Sequence, residues 1–542
     1  MKLLTDITRH DDSLAAFSKE KLWALFDGEK SALNIAHECI DRHDPARIAI
    51  NIINGDVADF SADESYTFAE LSEWSNRFAN YLLAQEIKPG ERIAIMLEPS
   101  LVFYAALFGA MKAGCVAVPL FTLFGPEGIA LRLDDCSPSL FIAAATHVAA
   151  AGDRGACVVE TADDTFVQKL STYDSVFTTN TSADDMAMYQ YTSGTTRQLP
   201  DAIKHRHRAI VTVMIAALYG TGVRPQDNFC CPSSPAWGHG LWHGTLAPLG
   251  LGATITSYKG RFHPQRLIDS LDKYKISNLS AAATHYRMMR GAMKLSGKIS
   301  GKTSGNNSAN NATVNATGSQ ALTHHLQKLS FTGEPIDSDT EAWAKRTFGR
   351  DVCSMYGTTE VGVILVSYPA AEDFQVKPGS LGKPVPGLEV AVVDNLGKPC
   401  KPTERGEIVV LRKDGWFPTK DLGYVDADGY FYHAGRADDV IISAGWTMSA
   451  VEIEDVLLKH PDIAEVAVVA SPDQERGHIP KAFVVSSRAG DDSFRDEIIR
   501  LAKDRLSQHE YPRAISFIDA LPKLPAGKIN RKQLRDAENR HL

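Results

Sequence analysis

Four short stretches carry side chains whose types and spacing suit the handling of a nucleoside triphosphate. In YTSGTT, Thr192, Ser193, Thr195 and Thr196 surround Gly194. Backbone N–H groups of such a loop can point at anionic oxygens, and the hydroxyls add donors. The loop then departs from that job, because acidic Asp201 stands where positive charge would be wanted. In SMYGTTEVG, Tyr356 and two threonines precede Glu360, a carboxylate suited to Mg²⁺ carried in with phosphate. TKDLGYVDADGYFYHAGRADDVI contains Asp421, whose carboxylate could accept both hydroxyls of a ribose, and Arg436. LPAGKINR sets Lys528 on a glycine turn, a mobile point charge for a developing pyrophosphate or a carboxylate. Each stretch alone also reads as a surface turn or salt bridge. All four in one chain point to nucleotide chemistry.

These residues need a frame. ERIAIMLEP (Glu91–Pro99) reads as a buried strand. VFYAALFGAMKAG (Val102–Gly114) reads as an amphipathic helix, and CVAVPL (Cys115–Leu120) as the next strand. Strand, helix and strand with short links make the unit of a parallel sheet. The pattern recurs at ATITSY, ISNLSAAA and LQKLSFTG, which predicts a large α/β body. Residues 296–320 are rich in Gly, Ser, Asn and Thr and predict a flexible surface loop. Asn311 and Asn315 match the glycosylation pattern there, read as chance without a secretory signal. VEIEDVLLKH is helical by spacing, and IAEVAVVASPD and IPKAFVVSS are strand-like, so the end of the chain reads as a separate small unit. The stretch Gly435–Asp439 suits a hinge.

The 542 residues imply several domains, or one large domain with a smaller partner. Hydrophobic residues make up 44% and charged residues 23%, the profile of a soluble globular protein. A net charge of −9 argues against nucleic-acid binding. The N-terminus carries no signal peptide, and no run is apolar enough to span a bilayer. The eight scattered cysteines read as reduced and mostly buried, in a cytoplasmic protein.

Together these motifs resemble the adenylate-forming superfamily, and in it the AMP-forming acyl-CoA synthetases, over nearly the whole chain. The look is closest to the medium-chain and aromatic-acid CoA ligases. The resemblance implies an α/β fold: a multi-subdomain N-terminal body with parallel sheets (1–437), and a small mobile α+β C-terminal domain (438–542). It implies a two-step reaction with ATP, Mg²⁺ and CoA, in which a carboxylic acid forms an acyl-adenylate and CoA thiol then displaces AMP. Thr192, Ser193, Gly194, Thr195 and Thr196 would form the phosphate loop. Gly333, Glu334 and Pro335 of FTGEP would make the adenine-side turn, with Tyr356, beside Gly357, stacking on the base. Thr359 would touch the α-phosphate and Glu360 would hold Mg²⁺. Asp421 and Arg436 would bind the ribose, Asp438 would be the hinge, and Lys528 would serve adenylation. Gly445 and Trp446 would line the pantetheine tunnel. Trp237, Gly238, His239 and Gly240 are the acyl-pocket candidates, although Trp237 also reads as plain core.

The departures matter. Where the family has glycine, any residue, proline, lysine and glycine, this chain has Arg197, Gln198, Leu199, Pro200, Asp201 and Ala202. A carboxylate near a triphosphate is unfavourable. Arg197, Lys204 or Arg206 are candidates to restore the charge. Lys420 replaces a glycine, Ile442 a lysine and Ala283 a proline. The expected function is an acid–CoA ligase. Two alternatives stay open: an enzyme that loads a carrier protein, and a binding protein with weak or lost turnover. Oligomerisation is also open.

Overall fold

The computed structural model describes residues 2–153, 155–191, 202–302, 325–358, 361–436, 440–443, 446–473, 476–506, 511–524 and 528–539. The chain folds as two compact units. The first comprises residues 1–332, 343–353 and 368–374; the second comprises 333–342, 354–367 and 375–542.

The first unit holds a sheet with the strand order Val158–Thr161, Leu140–Ala143, Arg92–Met96, Val116–Pro119, Met186–Gln190, Ile203–Arg206. Its first five strands are parallel and the sixth is antiparallel. The strand–helix–strand pattern read from Glu91 to Leu120 is therefore present. The intervening helix, Leu101–Lys112, differs from the amphipathic expectation: Phe103 to Lys112 are all buried. A helix apolar on all sides is enclosed on all sides. Its one charged residue, Lys112, is compensated by Asp41 and Asn76, each 2.7 Å from Nζ. A second parallel run in this unit joins Ile48–Asn54, Thr254–Lys259, Asn228–Cys230, Asn278–Ala282 and Lys328–Thr332.

The first seven residues of the loop expected at 296–320 are helical instead. Helix Ala283–Lys302 runs through 296–302, because each added residue of a nucleated helix gains a backbone hydrogen bond. Residues 303–320 lie outside the described residues. All eight cysteines are free, and six are buried.

The second unit is mainly antiparallel. Strands Gly362–Val366, Ser380–Pro384, Phe431–Arg436, Gly415–Val425, Gly406–Arg412 and Val390–Val393 pair in that order. Farther along the chain, Ile463–Asp473 and Gly477–Ser486 pair antiparallel, and Ala514–Phe517 adds in parallel. Helices Ala450–Leu457 and Asp492–Arg505 close one apolar core on this sheet, through Ile453, Leu457, Phe494 and Ile498.

Glu454, only 6% exposed, ties this small sheet together. It accepts from the Val468 N–H at 2.7 Å and from Arg531 Nη2 at 2.5 Å. Arg531 opens the last helix, three residues after Lys528, so the buried carboxylate also fixes the root of the lysine's turn. Replacing Glu454 by Ala removes the acceptor of a buried N–H and two hydrogen bonds of a half-buried guanidinium. We expect a loss of roughly 2–3 kcal/mol, seen as a lowered urea midpoint.

Candidate functional site

Some of the site residues inferred from sequence fall in two clusters, one in each unit. In the second unit, Asp421 lies on strand Gly415–Val425 with Arg436 as its cross-strand partner on Phe431–Arg436. Only 6% of Asp421 is exposed. Its Oδ2 accepts from the Tyr356 hydroxyl at 2.7 Å, and Oδ1 lies 3.9 Å from His433 Nε2. Thr419 sits two residues earlier on the same strand face, 3.4 Å from the Tyr356 hydroxyl. Thr419 is anchored in turn on the Ile408 carbonyl at 2.7 Å. Tyr356 is thus held at its polar end, and its ring lies 6.4 Å from that of His433.

Gly333 carries φ 100°, a conformation that strongly favours glycine. Glu334 and Pro335 follow it, and Asp337 then caps helix Ser338–Phe348 by accepting from the Thr340 N–H at 2.9 Å. Gly357 lies beside Tyr356 in strand Val352–Thr358. Thr192, Ser193, Gly194, Thr195, Thr196, Thr359, Glu360, Asp438 and Gly445 lie outside the described residues. Arg436 and Trp446 are placed by their backbones, the latter in the hairpin Val440–Ser443 with Trp446–Ser449. Lys528 is half-buried on a turn closed by Leu524 N–H to Lys528 O at 2.7 Å.

In the first unit the acyl-pocket candidates form one wall. His239, 4% exposed, bridges Ser233 Oγ at 3.0 Å and Ser280 Oγ at 2.9 Å. Trp237 is only half-buried, so it is not plain core, and its ring meets His239 edge-on at 5.6 Å. A Cβ on Gly240 would stand 2.1 Å from the Ser234 carbonyl, so only glycine fits. A Cβ on Gly238 would stand 2.7 Å from Gln190 Nε2. Gln190 ends the strand that leads into YTSGTT and accepts from Trp242 Nε1 at 2.9 Å. The wall is therefore joined to the root of that loop.

A hydroxyl-rich loop rooted in a parallel sheet, a buried carboxylate beside an anchored tyrosine, and a lysine on its own turn match the motif order of one family. The AMP-binding enzyme family matches residues 41–417, and its C-terminal domain matches residues 452–528. The chain belongs to the AMP-binding enzyme family.

An acetyl-coenzyme A synthetase of Bacillus subtilis is 29% identical over 93% of this chain and 90% of its own length. An uncharacterized acyl-CoA ligase of the same organism, YtcI, is 31% identical over 88% of this chain and 91% of its own. The crystal structure of the anthranilate CoA ligase AuaEII in complex with anthranoyl-AMP shares the fold, with a TM-score of 0.81 at 23% identity. That likeness covers 97% of this chain and 100% of the other.

Set among AMP-binding enzymes, the sequence departures gain physical content. Lys420, in the place of a glycine, adopts φ 64°, a conformation that glycine takes without strain. Ala283 is the first residue of its helix, a position where proline is well tolerated. Ile442 lies on strand Val440–Ser443. Of the charge replacements, Arg206 lies 3.7 Å from the Asp184 carboxylate, and Lys204 is exposed over the Tyr189 ring at 5.2 Å. Arg197 lies outside the described residues.

Several residues went unsingled in the sequence. Thr419 and His433 were legible only through the two-residue period of a strand face. His205 and His243 needed the fold, which places the His205 ring 4.7 Å from Trp242 and the His243 ring 6.3 Å from His239. His205 Nε2 and His243 Nδ1 are buried without a hydrogen-bond partner. Burial lowers both rings from the ordinary 6.5 to about 4, so they are neutral at pH 7.

His207 behaves likewise: fully buried, accepting from the Ile35 N–H at 3.0 Å, and pushed from 6.5 to about 4 by burial. The unfolded chain binds this proton near pH 6.5, but the folded chain resists it until about pH 4. The stabilising effect is complete above pH 6.5 and is lost as pH falls toward 4. For one such ring the loss is about 3 kcal/mol. Unfolding free energy measured from pH 7 to 4.5 should fall steeply, and His207→Gln should flatten that slope.

Proposed function

We propose that this AMP-binding enzyme is an acid–CoA ligase acting through an acyl-adenylate on a medium-chain or aromatic carboxylic acid. The observation that carries the reading is the buried Asp421 carboxylate, anchored by Tyr356 and paired across the strand with Arg436. A carboxylate accepts hydrogen bonds through both of its oxygens. The hydroxyls of a ribose are donors of the right kind. Asp421 and Arg436 would take the ribose, and Tyr356 the adenine face.

The substrate acid would lie against Trp237 and His239, with Gly238 and Gly240 letting Gln190 and the Ser233–Ser234 backbone close in behind them. Its carboxylate oxygen bonds to the α-phosphorus of MgATP, the bond to the bridging oxygen breaks, and pyrophosphate leaves. Glu360 would hold the Mg²⁺ that enters with the nucleotide, Thr359 would touch the α-phosphate, and Lys528 would offset the charge that develops. CoA sulfur then bonds to the acyl carbon, loses its proton and expels AMP. Gly445 and Trp446 would line its approach. The two steps would alternate by rotation of residues 438–542 against 1–437 about Asp438, a gating motion. The expected compartment is the cytoplasm, and no described helix is long and apolar enough to cross a membrane.

Pyrophosphate release with MgATP and a panel of carboxylic acids, with acyl-CoA followed by mass, tests this reading. Release together with a thioester is expected. Release with transfer only to a carrier protein would replace CoA as acceptor, and binding without release would sink the ligase assignment. In the same assay Lys528→Ala should slow acyl-adenylate formation by about 100-fold or more, the scale of one preorganised transition-state charge. Thioester formation from supplied acyl-adenylate should remain within a few-fold of wild type. Equal loss in both steps would contradict the role given to Lys528.

A further inference from the structure

The loss of a lysine to Asp201 leaves the polyphosphate loop short of positive charge, and the first unit contains a cation with no anion to match it. Arg132 lies on helix Pro126–Cys136 and is 7% exposed. Its Cζ stands 3.6 Å from the centroid of the Phe124 ring and 5.7 Å from that of Tyr191. Nη1 donates to the Gly128 carbonyl at 2.9 Å, and Nε is buried with no acceptor. Among the described residues no carboxylate pairs with it. The nearby carboxylate of Asp135 is taken by the Tyr191 hydroxyl at 2.5 Å. Burial makes the charged guanidinium harder to hold, and lowers its pKa. A desolvated, unpaired guanidinium is a costly feature to keep in a structure unless an anion completes it.

Topology says which anion. In an open parallel sheet, ligands bind in the crevice beyond the carboxyl ends of the strands. Strands Val116–Pro119 and Met186–Gln190 are parallel neighbours, in register at Ala117 and Met188. Their exits are therefore side by side at the same edge. One exit leads through Phe124 into the helix of Arg132; the other leads to Tyr191, where YTSGTT begins. Tyr191 and Ala202, which bracket the loop, are buried in one apolar cluster with Ile129, Leu133 and the flank of Phe124. Both roots of the loop are thus fixed beside the guanidinium.

We propose that Arg132 binds the β- and γ-phosphates of MgATP and supplies the positive charge that Asp201 removes. The inference rests on the reading of this protein as an ATP-using enzyme. A planar guanidinium suits paired phosphate oxygens, and its stacking on Phe124 fixes the plane in advance.

The test compares MgATP with AMP, which lacks the two outer phosphates, by calorimetric titration of the full-length protein. Arg132→Gln should raise the Kd for MgATP by about 10- to 100-fold and that for AMP by less than about twofold. Arg132→Lys, which keeps the charge without the fork, should fall between. Equal weakening of both nucleotides would assign Arg132 to the scaffold, and no change in either would remove it from the site; each overturns the proposal. If Arg132→Gln loses its cooperative melt, Arg132→Lys decides: a lowered preference for MgATP over AMP supports the inference, and an unchanged preference overturns it. The titration needs neither acid nor CoA, so a shift in nucleotide preference stands even if no acyl-CoA is ever formed. A wild-type protein that binds no MgATP would sink the shared premise instead.

Discussion

A parallel sheet buries both its faces, and that constraint shapes the first unit. Strands such as Ile93–Met96 and Leu140–Ala143 are wholly apolar because helices cover them on either side. These two strands carry no polar side chain, and the polar Gln190 stands instead at the edge where its own strand ends. Gln190 and Tyr191 lie at that edge, beside the segment from Leu120 to Gly125. The histidine wall reaches the same place through Trp242 and Gln190.

The second unit solves a different problem with antiparallel pairs. Alternate residues on a strand face opposite ways, so Thr419 and Asp421 project together while Lys420 turns away through a left-handed bend. Cross-strand neighbours then supply His433 and Arg436 without any long-range signal in the sequence. The same logic fixes the base of Lys528: the Leu524 N–H bond to its carbonyl, a buried Glu454 and an Arg531 contact hold the backbone around it.

Buried ionisable groups divide into two classes here. Lys112 with Asp41 and Lys328 with Asp227 are paired inside the fold. They hold segments far apart in sequence. His205, His243 and Arg132 instead keep ring or guanidinium nitrogens buried without partners. Satisfied pairs belong to architecture; unsatisfied donors next to a ligand-binding edge point to something that arrives from outside.

The sequence by itself determined the parallel body, the small C-terminal sheet and the family to which its motifs belong. Those signals are local: strand-length apolar runs, glycine stops, hydroxyl-rich turns, and Asp421 and Lys528 in recognisable surroundings. It misjudged where local composition competes with context. The helix entering 296–302 persisted past its glycines, and Leu101–Lys112 proved buried on every side. Only the tertiary structure decided which residues meet. Tyr356 reaches Asp421 across 65 positions and His239 reaches Ser280 across 41. Tyr191 turns its hydroxyl to Asp135, and among the described residues no carboxylate pairs with Arg132. Such pairings depend on strand order and register, which follow from burying the whole apolar surface at once, and no short stretch of sequence contains that information.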